Sequence, residues 1–100
     1  MTVYVDNMRA PYGRLILCHM IADTDAELHD MAARIGVARR HHQNRSVSHY
    51  DISLAKRVHA VQLGACEITV RQCALMTRPR RVHPGAALDR SVLVLEPVTA

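Results

Sequence analysis

Apolar and polar positions alternate over residues 2–6 (TVYVD), and the run is rich in β-formers, which predicts a short strand ending at Asp6. Arg9-Ala10-Pro11-Tyr12-Gly13 reads as a turn from its Pro and Gly. Residues 14–22 (RLILCHMIA) are apolar on both faces, as in a central buried strand. Strand alternation places Leu17, His19 and Ile21 on one face and Ile16, Cys18 and Met20 on the other. Thr24 followed by Glu27 is a capping box. Leu28, Met31, Ala32 and Ile35 then recur at helical spacing, and Gly36 is a fitting stop. Residues 39–48 (RRHHQNRSVS) are polar and basic and predict a loop. Ser53 can cap a second helix with a Leu54, Val58, Val61 stripe, stopped at Gly64.

Further on, residues 66–70 (CEITV) predict a third strand and residues 71–76 a short helix. Residues 77–85 (TRPRRVHPG) read as an irregular basic connector, and residues 91–96 (SVLVLE) as an edge strand or one added to a partner. No repeat is evident. Strand, helix, helix, strand is an α/β pattern: a single small domain over 1–76, with two or three helices on a short mixed sheet. A basic connector and a possible C-terminal strand follow over 77–100. Sites in open α/β sheets collect at the C-terminal ends of strands, which gives weight to Asp6 and Asp23.

Composition narrows the picture. One hundred residues make one domain rather than two, and 49% are hydrophobic, so a core is available. With no Trp or Phe, that core is built from Val, Ile, Leu, Met and Ala, and a chain this short leaves much surface exposed, so a homodimer is expected. The net charge of +4 is uneven: residues 1–70 hold eight Lys/Arg against seven Asp/Glu, and residues 71–100 hold five against two. Lys56 is the only lysine. Arginine grips phosphate with a planar fork, but a GC-rich genome produces the same bias, and the plainer explanation is preferred. Cys18, Cys66 and Cys73 form no C-x-x-C pair and read as buried free thiols of a reducing compartment. Asn44-Arg45-Ser46 matches a glycosylation sequon and is set aside, because nothing implies secretion. No signal peptide and no run of membrane-spanning length is seen, so a cytoplasmic location and no membrane association are expected.

Several polar residues stand where packing alone would not put them. His19 lies inside an apolar strand. It is either a core histidine with both nitrogens bonded or a metal ligand or acid/base group. Asp23 precedes the first cap and favours the helix dipole, or pairs with Asp6 to hold a divalent cation. His29, one position off the apolar stripe, reads as a surface histidine. His49 and Asp51 point the same way in an extended segment, where a carboxylate can fix a histidine tautomer; otherwise Asp51 or Ser53 caps the helix and Tyr50 packs. Lys56 and Arg57 oppose the dipole of the second helix, at roughly 0.3–1 kcal/mol each when exposed, and a bound anion would reverse that sign. Otherwise they bend into solvent or pair with Asp51. The runs at residues 39–42 and 78–81 are ordinarily just solvated, or supply salt-dependent contacts to a nucleic-acid backbone. Stacking platforms, Walker loops, dinucleotide fingerprints and zinc-finger spacings are absent.

Four segments in order, VYVDNMRAPYGRLILCHMIADT, ELHDMAARIGV, HYDISLAKR and GACEIT, resemble the small bacterial and phage proteins grouped as domain-of-unknown-function family 4031. The resemblance spans roughly residues 2–72. It picks out Asp6, Arg9, Cys18-His19, Asp23, Leu28-His29, His49-Tyr50-Asp51, Lys56-Arg57 and Glu67, and implies a phage-type protein without carrying an activity over. His41-His42 replace an aromatic in the middle loop.

Three functions follow, in this order. The first is a binding module for a phosphate-bearing ligand, a nucleotide or nucleic acid, with Arg9, Arg14, Lys56 and Arg57 on the anion and His49 and Tyr50 orienting it. The second is an interaction protein that binds a host protein. The third is a metal-dependent nuclease or phosphohydrolase with a divalent metal on Asp6, Asp23 and Asp51, and His19 or His49 as acid/base.

Overall fold

A computed structural model describes residues 2–95. The elements in chain order are β1 (Val3–Val5), β2 (Ala10–Tyr12), β3 (Leu15–Ala22), α1 (Asp25–Arg34), a 3-10 turn (Arg39–His41), β4 (Tyr50–Ser53), α2 (Leu54–Gln62), β5 (Cys66–Glu67), α3 (Val70–Val82) and α4 (Ser91–Leu95). The protein is α/β with a five-stranded mixed sheet. The eight residues of β3 form its spine. β1 pairs antiparallel with the end of β3, β2 with its start and β4 with its middle, while β5 joins β1 in parallel.

The doubly apolar sequence of β3 requires cover on both faces. On one, Val3, Val5, Cys18, Met20 and Ile52 pack with Leu28, Met31, Ala32 and Ile35 of and after α1 and Ala60 of α2. On the other, Tyr4 and Ile21 meet Ile68, Cys73 and Met76 beside α3, and Val92 of α4. The result is a three-layer helix–sheet–helix arrangement.

Thr24 and Ser53 cap α1 and α2 through the amides of Glu27 and Lys56, as their sequence positions predict. Gly36, at φ +78°, ends α1 in a left-handed conformation that needs glycine. Its missing Cβ also leaves room for the Lys56 ammonium, which would stand 3.1 Å from one. There the cation meets the negative end of the α1 dipole.

Three sequence readings are corrected from residue 66 onward. The expected irregular connector over 77–85 is helical as far as Val82, with Pro79 inside the helix. An interior proline costs about 3 kcal/mol. The helix survives it because the Arg80 guanidinium donates to the carbonyls of Ala22, Asp23 and Ala86, at 2.9, 2.7 and 2.8 Å. The helix also begins earlier than predicted: Thr69 and Gln72 form a reciprocal capping box, so the expected strand over 66–70 shrinks to Cys66–Glu67. The run at 91–96, read as a strand, is helix α4 as far as Leu95; Glu96 lies outside the described residues. Asp89 Oδ1 accepts from the Ser91 amide and turns the chain into this helix, and Val92 buries against α3.

Candidate metal centre

The register of the sheet builds the site. β3 and β4 pair with His19 directly opposite Asp51, while Asp6, just past β1, donates its amide to the His19 carbonyl. Tyr50 and Ile52 point to the α1/α2 face, so His49 and Asp51 face α3 with His19. Asp6, His19 and Asp51 thus form a row across three strands. His49 sits diagonally beside it, its ring centroid 5.5 Å from that of His19.

The hydrogen bonds assign both imidazole tautomers. His19 Nδ1 lies 2.7 Å from Asp6 Oδ2, and an ionised carboxylate only accepts, so Nδ1 carries the proton. Asp6 is wholly buried and also accepts from the amides of His19 and Met8. His49 Nδ1 lies 2.7 Å from the Val47 carbonyl oxygen, so it too is the protonated nitrogen. In neutral rings, both Nε2 lone pairs are therefore free. They stand 4.0 Å (His19) and 3.4 Å (His49) from Asp51 Oδ1. That oxygen is buried and has no hydrogen-bond partner, although Asp51 Oδ2 is held by Gln43 Nε2 at 2.8 Å. Three acceptors thus converge within 4.8 Å with no donor among them. Such a group calls for a proton, an ordered water or a cation at its centre.

The donor set suits a borderline cation. Two imidazoles and a carboxylate are zinc-class ligands, and a tetrahedral ion with bonds of about 2.0–2.1 Å needs its ligand atoms roughly 3.3–3.4 Å apart. The His49–Asp51 separation of 3.4 Å already matches, and the His19 edge at 4.0 Å needs a small contraction. Each of the three side chains has an outer partner that fixes its direction: Asp6 for His19, the Val47 carbonyl for His49, and Gln43 for Asp51.

Burial alone would raise the Asp6 carboxyl, but the hydrogen bond from the His19 ring, the His19 amide and the imidazole charge outweigh it and hold it below the usual carboxylate range. The Asp6 hydrogen bond raises His19 against its own burial, with the Asp6 and Asp51 charges adding to the effect. Cys73, whose thiol faces Asp6, is pushed up to about 12 by burial and then by that carboxylate, so in the metal-free protein it is a thiol at neutral pH.

These shifts set a pH dependence. The contribution of His19 to stability is full below the ordinary imidazole value of about 6.5 and is lost as pH rises through its higher folded value. The contribution of Asp6 is present above the ordinary carboxylate value and is lost as pH falls through its lower folded one. Denaturant titrations of the metal-free protein should show the pair contributing most between pH about 4 and about 6.5. Asp6→Asn should flatten the fall on the alkaline side; an unchanged slope would show that the pair is not the source.

The other sequence candidates fall elsewhere. Asp23 accepts from the Thr2 amide and the Tyr4 hydroxyl at the far end of β1, and does not meet Asp6 or Asp51. Arg57 donates through Nε to the Asp6 carbonyl and through NH1 to Glu67 at 2.9 Å, bracing β1 against the sheet edge. Lys56 turns away from it to the end of α1. Arg9 and Arg57 line one small cleft of about 120 Å³, while exposed Arg14 lies in the turn before β3. Tyr50 is buried on the opposite face of β4, where its hydroxyl meets His29 Nδ1 at 2.8 Å. Beside it, His42 Nε2 approaches Ser48 Oγ at 2.7 Å, and Ser48 donates to Asp25 at 2.6 Å. A serine that gives its proton to a carboxylate has none for the histidine, so this chain is a brace for the 39–48 loop and not a nucleophile with its base.

Sequence reading missed Gln43, the Val47 carbonyl, Cys73 and Arg81. The loop residues carry no periodicity that would aim them at β4, and the helix predicted over 71–76 stops short of Arg81. A cleft of about 170 Å³ opens beside the cluster, with His19, His49, Cys73, Thr77 and Arg81 in its wall.

Fold and site together define a small α/β domain with a two-histidine, one-carboxylate cluster on one sheet face. The chain belongs to the family described as "Protein of unknown function (DUF4031)", whose model matches residues 3–80. The match runs beyond the resembling segments and takes in most of α3. No curated protein and no solved structure matches the chain.

Proposed function

We propose that this protein holds one divalent cation of the zinc class through His19 Nε2, His49 Nε2 and Asp51 Oδ1, and that it acts as a metal-dependent hydrolase. The observation that carries this reading is the buried Asp51 oxygen that faces two imidazole lone pairs and no donor. Three protein ligands beside a cleft match catalytic rather than closed structural metal sites. A cation in that position acidifies a bound water and polarises a substrate oxygen. Relative to the sequence expectation, the histidines become ligands, Asp6 becomes the residue that orients one of them, and Asp23 has no part.

No helix of the described residues is long and apolar enough to cross a membrane. The protein, stripped with chelator, equilibrated with zinc and passed over a desalting column, should retain about one ion per chain, measured by atomic emission. Retention of none, or equal retention by Asp51→Ala, overturns the reading.

A further inference from the structure

Arg81 is the cation of the same cleft that has no anionic partner among the described residues. Its guanidinium donates to the Ala74 carbonyl at 3.1 Å and to Thr77 Oγ1 at 3.4 Å, both neutral oxygens. Among the described residues no carboxylate lies within ion-pair reach of it. Its neighbour Arg80 is committed to three carbonyls, so the two arginines of one turn of α3 differ in kind. Arg81 is close enough to the cluster for its charge to act on the Cys73 thiol, which in turn faces Asp6 and His19.

We propose that Arg81 makes this cleft a receptor for the terminal phosphoryl group of a substrate, held between the guanidinium and the cation on His19, His49 and Asp51. The inference rests on the metal reading above. A volume of about 170 Å³ is small beside whole-ligand pockets of roughly 300–1,000 Å³, so the cleft takes a group rather than a molecule. Val47, Val70 and Ala74 give that group a partly apolar wall, which strengthens each charge contact. Arginine's planar fork matches two oxygens of a phosphoryl group. A terminal phosphoryl group can give two oxygens to the guanidinium and a third to the cation, whereas a carboxylate that reaches the cation has only one oxygen left for the fork. The remainder of the substrate extends into solvent past exposed Ser46 at the rim.

Cobalt(II) tests both layers, because its visible spectrum reports the ligand set. The full chain loaded with cobalt should show a low-coordinate absorption band, and inorganic phosphate should change that band saturably. Arg81→Gln should leave the starting band unaltered and weaken the phosphate response tenfold or more, with Arg81→Lys in between. Acetate should do little at the same concentrations. Absence of the cobalt band overturns the metal reading and this inference together. A normal band with no phosphate response, with one that Arg81→Gln leaves in place, or with one that acetate matches, overturns the phosphoryl receptor alone.

Discussion

Zinc at a hundredfold excess over its dissociation constant should raise the unfolding free energy by about 2.7 kcal/mol, since it binds the folded protein and not the separated ligands. At roughly 4–8 °C per kcal/mol for a domain of this size, thermal denaturation should move up by ten degrees or more. His49→Ala and Asp51→Ala each delete a ligand and should abolish the shift. Asp6→Asn is more discriminating because it touches no ion. An amide in place of the carboxylate can donate to His19 Nδ1, which moves the ring proton to Nε2 and blocks the lone pair. The zinc affinity should then fall at least 10–100-fold, the usual effect of losing an outer partner. Asp51→Asn supplies the missing donor and should leave the metal-free protein as stable as wild type or more so. A wild-type protein indifferent to zinc, or a full shift in Asp51→Ala, would remove the basis for a metal centre.

Arg80→Ala should be the most destabilising single change outside the apolar core. The arginine is buried, and its three hydrogen bonds tie two distant segments to α3: Ala22-Asp23 at the end of β3, and the loop before α4. Hydrogen bonds to charged groups contribute about 1.5–3 kcal/mol, and their removal leaves carbonyls unpaired. A loss of roughly 3–5 kcal/mol follows, a large part of the 5–15 kcal/mol typical of a domain. It should appear in urea titrations as a lower midpoint at similar slope. Arg81→Ala, one residue along, should change the midpoint little. If the two variants behave alike, Arg80 is not the staple described.

The contrast between these neighbours shows what the sequence made legible. Capping residues and periodicity located α1 and α2, because Thr24, Ser53, Gly36 and Gly64 act on the chain within a few residues of themselves. Alternation along β3 placed His19 on the Ile21 face. In α3 local rules failed: the basic run at 77–85 reads as a connector, and what overrides that is a set of bonds from Arg80 to residues nearly sixty positions away. The Thr69–Gln72 capping box was readable in the sequence and was passed over for a strand.

The candidate site divides along the same line. His49 and Asp51 on one strand face followed from alternation alone. That His19 stands opposite Asp51, with Asp6 behind it, depends on which strands pair, and no pattern within one strand carries that. Gln43 and the Val47 carbonyl were hidden for another reason: a loop's aim is set by what it packs on. For the Lys56-Arg57 pair the dipole argument is local and leaves an anion, solvent or Asp51 as the partner. Its true partners, the end of α1 and Glu67, come from other elements.

Alternation along β4 also makes the site an error check on assembly. If β4 docked one position out of step, His49 and Asp51 would be driven among Leu28, Met31 and Ile35, while Tyr50 and Ile52 would face the cleft. Such a misassembled chain has lost two of its three ligands and cannot be rescued by the ion. On the proposed metal reading, uptake would sort correctly built copies from near misses, and a preparation's zinc content would serve as a direct assay of its conformational purity.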